Sequence, residues 1–328
     1  MDMEITELQE MVQVARMYYK DGLTQDKIAK EFSISRSSIS ILLTEAKKRG
    51  IVQINILDPM ANNEELSAKM EMLFGLEKCI VVPGGTYKEK ILLQMVALQA
   101  AKFMSEIMSS HTSVGISWGS SCYEFIKAFP TNTELCDIDV VPLIGGSPLL
   151  SQEFQLNESV LNFAEKLRGI PTLIYSPGMV DTMEDKKRIL DSKYMQSILQ
   201  SWANLDLAIV GVGRPPKIFD KDNIEYLDSN VLKIVNQSPE IAVGDLCARR
   251  FNIKGEFIHC SYNDRLIGID ENGLKNAKKV LALAIGSQKL FSIIGALNTK
   301  LLNYLVLDEM TANNIIKTIE SHSIEALQ

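Results

Sequence analysis

Four short runs carry residue types and spacings suited to holding an anionic ligand. Gly115-Ile116-Ser117-Trp118-Gly119-Ser120-Ser121 lies between an apolar run and a helical pattern that begins near Cys122. Small and hydroxyl-bearing residues at such a strand-to-helix turn leave backbone N–H groups uncovered at a helix N-terminus, where their dipoles form a cradle for phosphate. The other reading of this run is an ordinary tight turn with Trp118 packed in the core. Gly286-Ser287-Gln288-Lys289 repeats the arrangement after Val280 to Ile285 and opens a helix over Leu290 to Leu297. A lysine at a helix start opposes the macrodipole, so an anion shared between Lys289 and the N–H groups explains it better than a bare surface position. Gly145-Gly146-Ser147 and Gly211-Val212-Gly213 end two further apolar runs. Glycine-marked strand ends of this kind describe a ligand crevice at the carboxyl edge of a parallel sheet.

The common nucleotide motifs are missing. Pro216 stands where the Gly211 run would need the third glycine of a dinucleotide fingerprint, and no G-x-x-x-x-G-K-[ST] run occurs. Neither NAD nor ATP is indicated, and no cofactor is expected. The acid/base candidates for the crevice are Asp245, in Val243-Gly244-Asp245, and Asp264-Arg265. A carboxylate beside sugar hydroxyls serves binding as well as proton transfer, and Asp264 next to Arg265 equally fits a buried salt bridge. His111, His259 and His322 are too few and too scattered for a metal motif, so no metal is expected. The five cysteines, Cys79, Cys122, Cys136, Cys247 and Cys260, include no C-x-x-C pair and read as reduced thiols of the core.

Recognition of nucleic acid is written into a different stretch. Gln25 to Leu42 has the spacing of a helix-turn-helix, with Ile28 and Ala29 inside one short helix, Ile34 at the turn, and Ile39 and Leu42 inside the next. The small Ala29 lets the two helices cross closely, and the isoleucines fix the second so that its outer face enters a major groove. Ser33 stands where such turns usually carry glycine. The candidate DNA contacts are Thr24, Gln25, Ser35, Arg36, Ser37, Ser38 and Ser40: Gln25 for the backbone, the helix serines for phosphates or base edges, Arg36 for a guanine. Lys47 and Lys48, with Arg49, either attract phosphates non-specifically or simply complement the helix dipole. A three-helix bundle with no DNA is the alternative reading of the whole stretch.

The elements that must position these residues follow from periodicity. Leu8, Met11, Val12, Ala15 and Tyr19 recur at helical spacing and predict a first helix ending near Asp21-Gly22. A second starts beyond Thr24 as N-cap, and a third spans Arg36 to about Arg49 and stops at Gly50. Val52 to Ile56 alternates as a strand does, and Asp58-Pro59 reads as a linker, so residues 1–57 form one domain and 58–328 another. Beyond it, apolar runs alternate with helical patterns: Cys79 to Val82, Val114 to Trp118, Val140 to Ile144, Thr172 to Tyr175, Leu205 to Val212, Val280 to Ile285 and Tyr304 to Leu307. Unalternating β-branched runs separated by helices predict a doubly wound, mostly parallel α/β domain. The 328 residues carry 34 basic and 41 acidic side chains, a net charge of −7, which argues against coating nucleic acid or membrane with the whole surface. No run of about twenty apolar residues occurs, and the first ten residues are acidic rather than signal-like, so a cytoplasmic protein without membrane contact is expected.

Taken together, these runs resemble the SorC family of sugar-responsive bacterial transcription regulators, most closely its deoxyribonucleoside-regulator branch. The resemblance spans Tyr18-Tyr19, Gly22-Leu23-Thr24-Gln25, Ile28-Ala29, Ser33-Ile34-Ser35-Arg36, Gly50-Ile51-Val52 and Gly115 to Gly119. It continues through Ala242-Val243-Gly244-Asp245, Asn263-Asp264-Arg265, Gly286-Ser287-Gln288-Lys289 and Leu307 to Ala312. It implies a helix-turn-helix domain bound to operator DNA, joined to an effector domain similar to sugar-phosphate isomerases and controlled by a phosphorylated sugar, usually in a tetramer. Carried over by residue, Ser117, Gly119, Ser120, Ser121 and Lys289 hold the phosphate, Gly145, Gly146 and Asp245 face the sugar, and Trp118 and Gly286 belong to the same effector site. The branch places a lysine two residues before Gly146 for a Schiff base, and this chain has Ile144, so the resemblance does not extend to a covalent effector. The expected function is a DNA-binding transcription regulator, a repressor of a carbohydrate operon, rather than an enzyme. Two other classes stay open: a sugar-phosphate isomerase or deaminase, and a constitutive DNA-binding protein whose large domain only assembles.

Overall fold

The computed structural model describes residues 5–52, 62–85, 87–131, 134–147, 155–214 and 242–320. The chain divides into two compact units, Met1–Asp58 and Pro59–Gln328.

In the first unit, α1 (Ile5–Tyr19), α2 (Gln25–Phe32) and α3 (Arg36–Lys48) close on a small core that includes Met11, Val14, Ile28, Ala29, Ile39, Leu43 and Ala46. Capping fixes where the helices begin. Thr24 accepts from the Lys27 N–H, and Ser35 accepts from the Ser38 N–H at 3.0 Å. Gly22 and Gly50 both take positive φ just past helix ends. At the turn, Ser33 itself adopts the left-handed conformation (φ 53°, ψ 35°), its N–H directed at the Ala29 and Lys30 carbonyls. The serine does what a glycine would do more easily, at a cost of roughly 1–2 kcal/mol. The strand expected over Val52 to Ile56 lies, beyond Val52, outside the described residues.

The second unit is built on a sheet. Its parallel strands β1 (Lys78–Val82), β2 (Ser113–Ile116), β3 (Asp139–Pro142), β4 (Ile170–Pro171), β5 (Leu207–Gly213), β8 (Lys279–Ala284) and β9 (Tyr304–Asp308) lie in the order β1-β9-β8-β5-β2-β3-β4. A short antiparallel hairpin, β6 (Gly244–Leu246) and β7 (Arg249–Phe251), extends from the end of β5, with Gly213 opposite Asp245. Both faces are covered, which is why the strands read as unbroken apolar runs. Ala208, Val210 and Ala282 enter one core cluster, with Met70 of α4 (Glu64–Phe74), Trp202 from the helix Lys193–Ala203 and Ile294 from the helix Leu290–Asn298. Their neighbours Ile209, Leu281 and Leu283 enter the other, with α5 (Glu89–Ile107), α6 (Ser120–Ala128) and α7 (Leu156–Leu167). This is the doubly wound α/β architecture expected from the sequence.

Two departures have local causes. The strand expected at Thr172 to Tyr175 is replaced by the two-residue β4 just before it. The Ile174 and Tyr175 N–H groups are taken by the Asn157 side chain (2.9 Å) and the Tyr194 hydroxyl (2.8 Å), which draws the chain off the sheet. Cys136 is exposed, contrary to the reading of all five thiols as core residues, while Cys79, Cys122 and Cys247 are buried. Among the described residues, no helix is long and apolar enough to cross a membrane.

Candidate functional site

The carboxyl ends of β2, β5 and β8 and the β6–β7 hairpin enclose a cavity of about 490 Å³. That volume lies in the range of about 300–1,000 Å³ usual for small-molecule sites. The structure brings Ser117, Trp118, Gly119, Ser120, Ser121, Asp245 and Lys289 to its wall. Ser117 leaves β2 with its N–H still bonded to the Ile209 carbonyl at 2.9 Å, and Gly119 (φ 112°, ψ 160°) turns the chain into α6. Having no side chain, Gly119 cannot cap the helix, so the N–H groups of its first turn have no side-chain cap from that position.

Lys289 approaches from the opposite turn. Its Nζ donates to the Val212 carbonyl at 2.8 Å. Burial pulls its pKa down, and the neighbouring Asp245 carboxyl counters that pull. Asp245 is half-buried on β6, and its Oδ2 accepts the Ala248 N–H at 3.2 Å. Burial pushes its carboxyl above the ordinary carboxylate range, opposed by the nearby Arg250 and Lys289 charges. The carboxylate occupies space that only glycine leaves open: a β-carbon on Gly213 would stand 2.1 Å from Asp245 Oδ1.

Gly286 does not line the cavity. Its N–H donates to Asp308 Oδ2 at 2.8 Å, and its positive φ of 89° sets the turn that delivers Lys289. Gly145 and Gly146 are not brought to the cavity either. Gly145 packs against the Pro177–Gly178 backbone, where a β-carbon would meet the Pro177 oxygen at 2.5 Å. The Gly146 N–H donates to the Ser176 carbonyl at 2.9 Å, and the Gly146 carbonyl accepts the Gly178 N–H at 2.6 Å. Arg265 donates to the Ser261, Val180 and Asp181 carbonyls, so it braces loops instead of forming a pair with Asp264.

Among the wall residues that sequence reasoning missed are Arg250 and Tyr262. Alternation along β7 sends the adjacent arginines opposite ways. Arg249 is consumed by the Ile269, Asn263 and Gly268 carbonyls. Arg250 is 1% exposed, lies 5.0 Å over the Tyr262 ring, and has no hydrogen-bond partner for Nε or Nη1. The Arg-Arg doublet beside Phe251 in an otherwise apolar stretch was the available signal. A group of potential metal ligands was also invisible in sequence spacing: exposed His111, Cys136 and Asp137 have ligand atoms within 4.8 Å of one another, away from the cavity.

On the first unit, Ser37, Ser40, Ile41, Thr44 and Lys48 share the outward side of α3 and are exposed. Arg36 is exposed at the helix start, 3.8 Å from Asp26. Thr24 and Ser35 are engaged as caps, Gln25 and Ser38 are half-buried, and Lys47 lies 5.7 Å over the Tyr19 ring. Ile41, 64% exposed among these polar groups, was not singled out from sequence. An exposed aliphatic side chain on such a face suits the methyl group of thymine.

Residues 58–317 match the family model described as "Putative sugar-binding domain". The chain is 29% identical over 310 residues to the deoxyribonucleoside regulator of Bacillus subtilis, covering 94% of this chain and 97% of that protein. It is 27% identical over 308 residues to the sorbitol operon regulator of Klebsiella pneumoniae, again covering 94% and 97%. The crystal structure of that full-length sorbitol operon regulator superposes with a TM-score of 0.74 at 26% identity, over 96% of this chain and 100% of the other. A regulator structure from Listeria monocytogenes superposes with a TM-score of 0.70 at 30% identity, over 76% of this chain and 98% of the other. These relatives are transcription regulators, not enzymes.

Proposed function

We propose, from the premise that this chain belongs to the SorC family of transcription regulators with a sugar-binding domain, that it represses a carbohydrate-utilisation operon under control of a phosphorylated sugar. Residues 1–57 bind operator DNA through the outward side of α3. Residues 58–328 bind the effector and assemble the protein into a tetramer, whose symmetry pairs recognition helices with operator half-sites roughly one turn of DNA apart. The protein works in the cytoplasm, where both DNA and phosphosugars are found.

The observation that carries the reading is the cavity wall formed by the uncapped start of α6 and the enclosed Lys289. Donors and a cation converging on one concave site, in a chain with a net charge of −7, suit a phosphate and little else. Asp245 then accepts from sugar hydroxyls. An isomerase reading is weaker because, among the described residues, the carboxylates on the wall are Glu89 and Asp245, with no histidine beside them.

A thermal-shift panel of sugar phosphates beside their unphosphorylated sugars tests this. A ligand at 100 times its dissociation constant stabilises the folded state by about 2.7 kcal/mol. One phosphosugar is expected to raise the melting temperature of the wild type and to lose that effect in Lys289→Ala. A response to free sugars alone would remove the phosphate from the account.

A further inference from the structure

The edge of the sheet away from the cavity carries a second set of chemistry-bearing side chains. β2 and β3 run parallel, with Ser113 opposite Asp139. His111 and Asp137 each stand two residues before those partners, so the register sets the loop entering β2 beside the loop entering β3. The strand ladder continues into both loops. The Asp139 N–H donates to the Thr112 carbonyl at 3.1 Å, the His111 N–H to the Cys136 carbonyl at 3.0 Å, and the Cys136 N–H to Ser110 Oγ at 3.1 Å. Ile138, fully buried, anchors the second loop in the core. His111 (φ 60°) and Asp137 (φ 53°) both take left-handed backbone, a conformation in which these residue types are enriched.

This register gathers an imidazole, a thiol and a carboxylate at one point of the surface. One ligand atom from each of His111, Cys136 and Asp137 lies within 4.8 Å of the others. His111 Nδ1 and Asp137 Oδ2 are 3.3 Å apart. That is long for a charge-assisted hydrogen bond, which is usually about 2.7–2.9 Å. It suits two ligands of one tetrahedral zinc ion, because Zn–N and Zn–O bonds of about 2.0–2.2 Å at the tetrahedral angle hold N and O roughly 3.3–3.5 Å apart. An ion pair alone would account for His111 and Asp137 but not for the thiol beside them. Of the five thiols, Cys136 is the exposed one, open to an ion arriving from solvent.

We propose that His111, Cys136 and Asp137 form a binding site for a thiophilic divalent metal ion, and that zinc is the ion this donor set fits best. A neutral imidazole, a thiolate and a carboxylate bring two negative charges, which the ion neutralises, and the thiol gives its proton to solvent on binding. The soft sulfur discriminates against magnesium and calcium, which take oxygen ligands. Three protein ligands leave the fourth tetrahedral position to water or to a donor from another molecule. The site stands at the amino ends of β2 and β3, whereas the cavity lies at carboxyl ends of the sheet, and it does not depend on the phosphosugar reading.

The test is titration of untagged, metal-stripped, full-length protein with zinc and with cobalt(II). Zinc is expected to bind one equivalent per chain by calorimetry, and cobalt to give the visible absorption of a tetrahedral site with a thiolate-to-metal charge-transfer band. Cys136→Ser should abolish that band. His111→Asn and Asp137→Asn place a residue that tolerates left-handed backbone at each position. Even the outer partners of metal ligands are worth about 10–100-fold in affinity, so each variant should weaken zinc by at least about tenfold. Zinc should also slow alkylation of Cys136 by iodoacetamide, read by mass spectrometry of its peptide, and Asp137→Asn should lose the protection. No binding of either ion by the wild type, or binding that survives Cys136→Ser unchanged, overturns the proposal. So does cobalt binding through Cys136 that His111→Asn and Asp137→Asn both leave intact, since the thiol would then act alone.

Discussion

The outward side of α3 and the cavity of the sheet domain are both polar, but they hold their polar groups in opposite conditions. On α3, Ser37, Ser40, Thr44 and Lys48 face water, and Arg36 is 69% exposed beside an equally open Asp26. Such groups are hydrated before any partner arrives, so each adds little to folding and a modest amount to DNA binding. In the cavity, Arg250 is buried and Asp245 and Lys289 are half-buried, and burial shifts the latter two away from their charged forms. That arrangement burdens the ligand-free fold and makes binding depend on single atoms.

If this contrast is right, the largest response belongs to a cavity residue with no charge at all. Gly213→Ala places a β-carbon against the Asp245 carboxylate and should cost about 1–3 kcal/mol of stability through overpacking. Phosphosugar affinity should fall at least tenfold, which calorimetry and thermal melts read separately. An α3 substitution should do the reverse. Arg36→Ala is expected to weaken specific DNA binding by about 1–3 kcal/mol. Its melting temperature should barely move, because exposed positions usually stay within about 0.5 kcal/mol.

A smaller effect concerns pH. Because the Asp245 pKa is raised in the folded protein, the unfolded chain ionises first as pH rises, and stability falls until the folded carboxyl ionises as well. Melting temperatures of the ligand-free protein should show this decline above the ordinary carboxylate range, and Asp245→Asn should flatten it. The smallest effect lies at the helix-turn-helix bend. Ser33→Gly relieves the left-handed serine and should stabilise the first unit by up to about 1 kcal/mol, measured by chemical denaturation.

The contrast also explains what could be read from sequence. The three helices of the first unit were legible because their apolar spacing, caps and glycine stops are local signals that agree with one another. The sheet was legible for a similar reason, since strands covered on both faces lose their alternation. Glycines at strand ends were ambiguous. Gly119 opens a helix start toward the cavity, while Gly145 is small because Pro177 and Gly178 cross behind it. Nothing within either run distinguishes a backbone crossing from a ligand cradle, because the deciding atoms come from distant parts of the chain. Arg250 was hidden likewise: its burial depends on a hairpin of three-residue strands pairing with the end of β5. Thr172 to Tyr175 has strand composition, but Asn157 and Tyr194 compete for its backbone.

The measurement that bears most directly on the whole account joins the two regions. DNA selected by the full-length protein from a random pool would be titrated by fluorescence anisotropy, with and without the phosphosugar that raises the melting temperature, using the wild type and Lys289→Ala. The account expects the ligand to change the wild-type DNA affinity at least tenfold and to leave that of Lys289→Ala unchanged. A wild-type affinity that saturating phosphosugar does not alter would contradict it.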